Sequence, residues 1–340
     1  MIALGVKWIK LLSKSSKQLT VTAPKRILIV KTSSLGDVIH NFPMVSDIAA
    51  KFPDSKIDWL VEEDYVPLVK LHLGVERIIP IALRRWRKSI FSSLTWKELK
   101  NCIVEIRKYR YDLIIDSQGL IKSAIFARLA KGVRCGFGPR YSREKLAGMS
   151  YDIGIGVHQE QHMLERCRKL ASLALNYQIT DKPDYGLITK KTAVLEKKNV
   201  IIFCSSAQSK KLWPTGDWIR LCKFLSSNGF TCQFTWGNPD EYAICKHIIS
   251  ASSGELLPNM PINDIAAQIN RSCLVVGLDT GLLHLATALE VPTIAIFGAS
   301  DPIKTGPQGN GIIKICGSKN YFPSSEEVES AIAAVSKVIN

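Results

Sequence analysis

The stretch RILIVKTSSLGDVIH, residues 26–40, decides the fold of this chain. A β-branched run at residues 27–30 leads into a polar turn that holds three hydroxyl side chains, Gly36 and Asp37. An apolar helical pattern begins directly after the turn. This order of strand, glycine-containing turn and helix is typical of α/β proteins, which bind ligands outside the carboxyl ends of parallel strands. The stretch therefore predicts an α/β unit with a ligand site at the turn.

A second turn of the same kind lies at residues 277–284, GLDTGLLH, after the apolar run 274–276. It also leads into an apolar helical pattern. The N-terminus of a helix favours phosphate, because its free backbone N–H groups and the helix dipole both attract an anion. Two such turns, about one domain apart, predict two halves that face a shared cleft.

Strand and helix patterns alternate through most of the chain. The predicted strands are 27–30, 56–61, 77–81, 113–116, 200–204, 231–236, 273–277 and 293–297. The predicted helices are 42–52, 124–131, 160–175, 218–228, 241–251, 262–270, 282–289 and 325–339. Such alternation predicts parallel sheets joined by right-handed crossovers. A chain of 340 residues is too long for one average core, and the polar stretch 176–184 is the predicted linker between two α/β halves.

Composition narrows the class of protein. There are 45 Lys and Arg against 30 Asp and Glu, a net charge of +15, which indicates an anionic partner: nucleic acid, a membrane surface or a phosphorylated substrate. The nine cysteines form no Cys-x-x-Cys pair, so neither a zinc site nor a dithiol redox motif is indicated. We expect reduced, buried thiols.

The first 24 residues form a basic extension with its own pattern. Lys7, Lys10, Lys14 and Lys17 are spaced three, four and three residues apart, which places them on one stripe of a helix. The apolar side chains of this segment fall mostly on the other side, as in an amphipathic helix that lies in a membrane interface. A frayed basic tail, or a start codon placed too early, is the alternative.

Asp37 is the first candidate catalytic residue. It follows Gly36 in the first turn and opens the next helix, where an aspartate commonly acts as a cap. The same position is at the mouth of the sheet, where a substrate hydroxyl can reach the carboxylate and lose a proton to it. The residues alone leave both roles open.

Candidate phosphate-binding residues cluster in the second half. Ser205 and Ser206 follow the strand at 200–204, and Lys211 lies just beyond them, where its ammonium group can neutralise a phosphate without a metal. His284 can donate to the same phosphate, and Glu241 either binds a ribose hydroxyl or begins a helix. No Asp-x-Asp motif and no third ligand near the histidine pair 158 and 162 is present, so we expect no metal.

The densest positive charge in the chain is RRWRK, residues 84–88. Arginine forks suit phosphate and carboxylate groups, and the tryptophan can stack on a ligand. A solvated basic loop is the alternative for such a stretch taken alone.

Together these segments resemble the ADP-heptose:lipopolysaccharide heptosyltransferases, glycosyltransferase family 9, and most closely the heptosyltransferase I group. The resemblance covers about residues 25 to 305. It rests on RILIVKTSSLGDVIH (26–40), DWLVEE (58–63), RIIPIALRRWRK (77–88), DSQGLIKSA (116–124), LWPTGDW (212–218), the Trp-Gly pair at 236–237 and DTGLLHLA (279–286). The KTSSLGD and DTGLLHLA pair is specific for the family, and RRWRK favours the first over the second heptosyltransferase.

The resemblance implies a GT-B fold, with two Rossmann-like, doubly wound domains facing a central cleft. The expected boundaries are 1–24 for the extension, 25–178 for an acceptor-binding domain, 179–322 for a nucleotide-sugar-binding domain, and 323–340 for a C-terminal helix that crosses back to the N-terminal domain. It implies an inverting transfer of L-glycero-D-manno-heptose from ADP-heptose to a Kdo sugar on lipid A. It further implies an enzyme without a cofactor that lies peripherally on the cytoplasmic face of the bacterial inner membrane.

The resemblance also implies roles for individual residues. Asp37 matches the proposed base, and Lys211 would act with it by stabilising the leaving diphosphate. The donor-contacting set is Ser205, Ser206, Lys211, Glu241, Met260, Asp279, Thr280, Gly281 and His284. The acceptor-binding set is Ser33, Ser34, Gly36, Arg84, Arg85, Arg87, Lys88, Gln118, Lys122, His162 and Arg166.

Three other functions remain open at this point, and one of them is a nucleotide-binding regulator that keeps the cleft without the chemistry. The second is another transferase of the same family, either heptosyltransferase II or an enzyme with a different donor or acceptor. The third is a basic nucleic-acid-binding protein, which the net charge allows but for which no recognition motif is found.

Overall fold

The computed structural model describes residues 23–179, 182–187 and 196–339. Within them lie two parallel six-stranded sheets. The first consists of β1 Arg26–Val30, β2 Lys56–Glu62, β3 Arg77–Ile81, β4 Arg110–Asp116, β5 Lys131–Phe137 and β6 Ile153–Ile155. The second consists of β7 Glu196–Phe203, β8 Thr231–Phe234, β9 Glu255–Leu256, β10 Ser272–Leu278, β11 Thr293–Ile296 and β12 Ile313–Cys316. The predicted pair of parallel α/β halves is confirmed.

Helices cover the sheets. Those of the first half are α1 Leu35–Ile39, α2 Phe42–Lys51, α3 Val66–Val69, α4 Leu83–Trp86, α5 Ser93–Arg107, α6 Ile121–Leu129, α7 Lys145–Met149 and α8 Met163–Leu175. Those of the second half are α9 Thr215–Ser227, α10 Pro239–Ala251, α11 Ile262–Arg271, α12 Gly281–Ala288, α13 Pro302–Thr305 and α14 Ser325–Ile339.

Each sheet reverses its strand order beside its first strand. The orders are β3-β2-β1-β4-β5-β6 and β12-β11-β10-β7-β8-β9, so the reversals fall between β1 and β4 and between β7 and β10. The loops that leave two such strands diverge in opposite directions, and the crevice that opens between them is where doubly wound sheets bind ligands. The two glycine-containing turns follow β1 and β10, so both lie at a reversal point.

Four strands and one long helix lie outside the patterns recognised in the sequence: β5, β6, β9, β12 and α5. Glycines interrupt the apolar alternation of β5, which reads KGVRCGF, and β9 has only two residues. The predicted helix at 124–131 ends at Leu129, because the chain already enters β5 at Lys131. The other three, β6, β9 and β12, are edge strands, which carry a weak pattern because neighbouring elements, and not their own alternation, bury them.

The C-terminal helix differs from expectation. We expected it to cross back to the N-terminal domain, but α14 packs against α9, β11 and β12 of the second sheet. Its apolar stripe of Val328, Ala331, Ile332 and Val335 is buried in the core of that half. These positions lie on one face of the helix, and that face is buried against the second sheet.

The expected domain boundaries themselves stay predictions. The basic extension falls at residues that the structure does not describe, apart from its last two. Within the described residues, no helix is both long and apolar enough to span a bilayer. All nine cysteines are free and buried, as predicted.

The two halves meet through the N-termini of α1 and α12. A Cβ atom on Gly281 would lie 2.6 Å from Leu35 Cβ, and one on Gly36 would lie 3.1 Å from the His284 ring. Glycine at both positions therefore lets the two helices approach within backbone contact. The apolar core of the first half continues across this contact into Phe203, Leu283 and their neighbours in the second half.

This packing predicts that Gly281→Ala destabilises the protein. The new methyl group has to displace Leu35 near its backbone, and overpacking of this kind costs about 1–3 kcal/mol. The free energy of unfolding, from urea titration followed by tryptophan fluorescence, should fall by that amount.

Gly216→Ala is the matched control. Gly216 lies in the first turn of α9 with no atom within 4 Å of an added Cβ, so alanine should leave stability equal or slightly higher. Equal stability of the Gly281→Ala and Gly216→Ala proteins would show that the contact between α1 and α12 tolerates more space than we infer.

Candidate active site

A cleft of about 220 Å³ opens between the two glycine-containing turns. Both halves of the molecule line it, so the predicted shared cleft is present. The lining residues are Ser34, Gly36, Asp37, His40, Arg143, Met163, Lys211, Asp279, Thr280, Gly281, His284 and Thr305.

Gln118 fixes the first turn. Its Oε1 atom accepts hydrogen bonds from Thr32 N at 2.7 Å and Thr32 Oγ1 at 2.8 Å, while its Nε2 donates to Ser33 O at 2.8 Å. Gln118 is buried beyond β4, on the other side of the reversal point. Its side chain holds the turn in shape, and the acceptor-binding role that we predicted for it stays a prediction.

Asp37 lies in the first turn of α1, where it both caps the helix and faces the cleft. Its Oδ2 accepts from Ser34 N and Ser34 Oγ, each at 3.3 Å. Its Oδ1 accepts from Arg143 at 2.8 Å and lies 3.6 Å from the buried Lys31 ammonium. Arg143 also donates to Oδ2, at 3.4 Å, so both oxygens contact the arginine, while Oδ2 also holds Ser34. The two roles that the sequence left open are therefore compatible, because the carboxylate holds the helix start and still lines the cleft.

The charges around Asp37 decide its protonation. Burial alone would raise the pKa of this carboxyl, but the positive charges of Lys31 and Arg143 outweigh burial and hold the pKa well below the ordinary 3.8. The carboxylate is ionised at neutral pH. It is also a weak base while both cations face it, since a base loses strength as its pKa falls.

On the opposite wall, Lys211 and Asp279 form an ion pair. Lys211 Nζ lies 2.6 Å from Asp279 Oδ2 and 3.2 Å from the Asp279 backbone oxygen. Ser300 Oγ donates to the same carboxylate. Burial acts to raise the pKa of Asp279, but hydrogen bonds from His284, Lys211 and Ser300 lower it well below the ordinary value. The ammonium of Lys211 is thereby held at the N-terminus of α12.

That N-terminus is built to receive an anion. Thr280 is the cap residue of α12 by position, but its side chain makes no capping hydrogen bond, and its buried Oγ1 has no partner among the described residues. The first N–H groups of a helix have no partner within the helix. The free N–H groups, the helix dipole and Lys211 together favour a phosphate group at Thr280 and Gly281.

Three buried histidines connect the two walls. His40 Nε2 lies 3.3 Å from His284 Nδ1, and His284 Nε2 lies 3.6 Å from Asp279 Oδ1. The ring of His162 packs edge-on against His40, with 5.2 Å between centroids. Burial and the neighbouring rings lower the pKa of His40 well below 6.5, so this ring is neutral at physiological pH.

His162 and Arg166 both bind other parts of the protein in this structure, and their predicted place near the acceptor stays a prediction. His162 Nδ1 accepts from Leu164 N at the start of α8, and Nε2 donates to Gly306 O of the second half at 2.7 Å. Arg166 donates to Tyr141 O at 2.7 Å and stacks on Phe137. Neither is among the residues that line the cleft.

Four predicted donor residues are not among the residues that line this cleft. Ser205 and Ser206 follow β7 at the second reversal point, and Met260 packs on the interdomain core. Glu241 begins α10, and its Oε2 accepts from Gly237 N at 2.8 Å. Both predicted alternatives for Glu241 stay open, since a helix-starting carboxylate keeps a second oxygen.

The basic stretch at residues 84–88 is less free than its charge suggests. Arg84 pairs with Asp64 at 3.2 Å, and Arg85 pairs with Glu63 at 3.0 Å and with Glu98 at 2.9 Å. Arg87 and Lys88 are exposed and form no salt bridge with any residue that the structure describes. These two, with Lys122, whose Nζ lies 3.1 Å from Ser33 Oγ, are the predicted acceptor cations that remain available.

Sequence reasoning missed Arg143 and His40. Arg143 lies 106 residues after Asp37 in a loop without a motif, and only the fold brings the two together. His40 was inside the decisive stretch, three residues after Asp37, and its helical spacing could have indicated that it shares the cleft-facing side of the turn.

No group of three or more His, Cys, Asp or Glu that could hold a metal ion occurs among the described residues.

Comparison with known proteins agrees with this geometry. The sequence profile of glycosyltransferase family 9 (heptosyltransferase) matches residues 101–333. Lipopolysaccharide heptosyltransferase 1 of Escherichia coli K12 is 36% identical over 293 residues, 84% of this chain and 91% of that protein. The enzyme of the same name from Pseudomonas aeruginosa PAO1 is 34% identical over 295 residues, 85% of this chain and 83% of that protein.

Solved structures of heptosyltransferases also superimpose on this chain. The E. coli heptosyltransferase WaaC with ADP superimposes with a TM-score of 0.83 at 33% identity, over 93% of this chain and all of that one. E. coli heptosyltransferase II, at 19% identity and a TM-score of 0.73, over 92% of this chain and 98% of that one, shares the fold. The GT-B fold expected from the sequence is confirmed. The chain belongs to glycosyltransferase family 9, the heptosyltransferases.

Proposed function

We propose that this protein is an inverting glycosyltransferase that moves L-glycero-D-manno-heptose from ADP-heptose to Kdo on lipid A. The observation that carries the proposal is the placement of Asp37 and Lys211 on facing walls of one cleft. The identity to heptosyltransferase 1 enzymes supports the substrates, as does the E. coli WaaC structure with ADP-2-deoxy-2-fluoro heptose, at 33% identity and a TM-score of 0.82, over 91% of this chain and 99% of that one.

The acceptor side uses Asp37 as general base. A Kdo hydroxyl bound between Asp37 and the donor sugar attacks the anomeric carbon while its proton passes to the carboxylate. Displacement of ADP from the opposite face inverts that carbon. An acceptor that carries carboxylate or phosphate groups can draw Arg143 away from Asp37, and the base then gains strength as the acceptor binds.

The donor side stabilises the leaving group. Charge develops on the diphosphate as the glycosidic bond breaks, and Lys211 with the α12 N-terminus faces that position. Fixed donors that act where charge develops are commonly the largest catalytic contribution. In the free enzyme the positive charge of Lys211 balances the negative charge of Asp279. This ion pair also fixes the position of the ammonium group. In this proposal the lysine replaces a metal ion.

The remaining predicted residues would select the acceptor. Arg87, Lys88 and Lys122 offer positive charge on the N-terminal half, suited to the carboxylates of Kdo and the phosphates of lipid A. An acceptor of this kind is held in a membrane, so we place the enzyme peripherally on the cytoplasmic face of the inner membrane.

The first test is ADP release from ADP-heptose with and without Kdo-containing lipid A. We expect release to require the acceptor, and we expect Asp37→Asn to lower the acceptor-dependent rate roughly 10²- to 10⁴-fold, the usual contribution of a general base. ADP affinity, measured by calorimetry, should stay nearly unchanged because Asp37 belongs to the acceptor wall.

Asp217→Asn is the matched control. Asp217 is the third residue of α9 and follows a glycine, as Asp37 is the third residue of α1 and follows Gly36. It has the same capping position but lies outside the cleft, so this variant should keep the wild-type rate. Loss of ADP binding in Asp37→Asn would mean that Asp37 supports the fold and not the chemistry.

The second prediction concerns the leaving group. Lys211→Ala should lower kcat and weaken ADP binding, together roughly 10- to 100-fold in kcat/KM, since a hydrogen bond to a charged group is worth about 1.5–3 kcal/mol. The neighbouring Lys210 is exposed and does not line the cleft, so Lys210→Ala should change neither constant. Equal kinetics of the two variants would remove Lys211 from the site.

The third prediction is a shift in pH dependence. Activity needs ionised Asp37, and it is lost as the pH falls through the pKa of that carboxyl. Because Arg143 helps to hold the pKa down, Arg143→Ala should raise it and move the acid limb of kcat/KM to higher pH.

The measurement is kcat/KM between about pH 4 and about pH 8, the range in which the limb of a less stabilised carboxylate should appear. Arg140→Ala, an exposed arginine of the same loop, is the control and should keep the wild-type profile. An unchanged profile in the Arg143→Ala protein would show that another group controls the acid limb.

A further inference from the structure

Large apolar side chains are exposed on three neighbouring helices of the N-terminal half and in the turn before the first of them. Phe91 is 98% exposed and Trp96 is 59% exposed, in the turn before α5 and in its first turn. Leu146 and Met149 on α7 are 65% and 63% exposed, and Ile125 on α6 is 55% exposed. Single exposed apolar residues are normal on a monomer, but a group of them marks an interaction surface.

The topology brings these residues to one side of the molecule. Helix α5 packs on α6, and α6 packs on α7, so the three helices form a continuous layer on one face of the first sheet. Helix α6 begins five residues after β4 ends, and α5 follows β3 after the short helix α4, so both helices start from the carboxyl edge of the sheet. That edge also holds the Asp37 turn. We call the surface of Phe91, Trp96, Ile125, Leu146 and Met149 the docking face.

The charges around the docking face are positive. Lys97 and Lys100 on α5 and Lys145 on α7 are exposed, and none of them enters a salt bridge with a described residue. The acids of this layer compensate these charges only in part: Glu98 pairs with Arg85 and accepts from Trp86 Nε1, while Glu144 is exposed, accepts from Ile121 N and enters no salt bridge with a described residue. Three unpaired lysines against one unpaired glutamate leave a net positive charge, which attracts an anionic surface.

Helix α6 connects this surface to the cleft. Ile125 points outward in the docking face, while Lys122, one turn earlier, contacts Ser33 at the edge of the Asp37 turn. A flat partner seated on the docking face would therefore lie beside the cleft entrance.

We propose that the docking face inserts its apolar side chains into the interface of an anionic lipid bilayer. Aromatic side chains prefer that interface, and lysines near an anionic leaflet add attraction that salt weakens. The biological role of this binding rests on the proposed function: a lipid-borne acceptor could present its sugar to Asp37 without leaving the membrane.

The test uses the full chain and sedimentation with vesicles of phosphatidylglycerol and phosphatidylethanolamine. The double variant Phe91→Ser, Trp96→Ser should lower the partition coefficient at least about tenfold, since full burial of one large apolar side chain corresponds to about that factor. Binding should also fall with added salt and in vesicles of phosphatidylcholine alone.

The control is Leu73→Ser, Leu173→Ser. Leu73 and Leu173 are exposed to a similar degree but lie with α2 and α8 on the opposite face of the same sheet, so this variant should partition like wild type. Equal partition of the two double variants would overturn the proposal. So would a change from dimer to monomer in Phe91→Ser, Trp96→Ser with unchanged vesicle binding, because the face would then bind a second copy.

A second measurement reports on the surface itself. Lipids with brominated acyl chains should quench tryptophan fluorescence in the wild-type protein, and Trp96→Phe should remove part of that quenching. No difference between the two proteins would contradict insertion at Trp96 even if another segment binds the vesicle.

Activity separates this inference from the proposed function. The Phe91→Ser, Trp96→Ser variant should keep the wild-type rate on a water-soluble, acyl-free Kdo acceptor and lose rate on lipid A in vesicles. If the wild-type protein releases no ADP with either acceptor, the proposed function fails, and vesicle binding still decides the docking face.

Discussion

The close contact between the N-termini of α1 and α12 is the constraint on which the rest of the structure depends. A side chain at Gly281 would collide with Leu35, and one at Gly36 would press on the His284 ring. Each helix begins at the reversal point of its own sheet, so their contact joins two ligand crevices into one cleft. Asp37 then lies on one wall and Lys211 with Asp279 on the other. A larger residue at either glycine would push the two walls, and with them Asp37 and Lys211, further apart. It would leave the two sheets intact, because the strands of each sheet pair only with one another.

Once the walls are joined, the cleft has to hold several charges away from bulk water. The structure does so by pairing them: Arg143 and Lys31 face Asp37, and Lys211 faces Asp279. Substrates would replace some of these partners. A diphosphate offers Lys211 a second anion, and an anionic acceptor competes with Asp37 for Arg143. The low pKa of Asp37 in the free enzyme is consistent with a base that becomes stronger when its arginine partner binds substrate, so charge pairing would protect the resting site and couple acceptor binding to proton transfer.

The sequence predicted the fold and the two walls of the cleft because both depend on local patterns. The hydrophobic periodicity and the position of the glycines predict the strand, turn and helix at residues 26–40 and again at 274–289. These two segments contain Asp37, Asp279 and His284. The residues that the sequence did not reveal come from pairing over long distances. Arg143 lies near Asp37 only because β5 and the loop after it bring it there. Arg84 and Arg85 form ion pairs with acids from other elements, and the basic sequence at residues 84–88 gives no sign of these partners. The acids are Asp64, Glu63 and Glu98. The C-terminal helix was misplaced because an apolar stripe specifies that a face is buried but not which sheet buries it.

The same interface limits how the cleft can close. The apolar core runs from the first half into the second, and polar contacts add to it on one side: His162 donates to Gly306 O, Lys304 pairs with Glu160, and Tyr185 donates to Gln308 O. A rigid rotation of the halves would have to shear a packed core and break these bonds together. Lys211 and Arg143 can move if each exchanges its present carboxylate partner for a charged group of a substrate. The new ion pair then offsets the free energy lost with the old one. In the proposed reaction, closure around ADP and the acceptor would therefore be easier at the side chains and loops of the cleft than at the joint between the two sheets. The fixed joint would keep the distance between Asp37 and Lys211 constant.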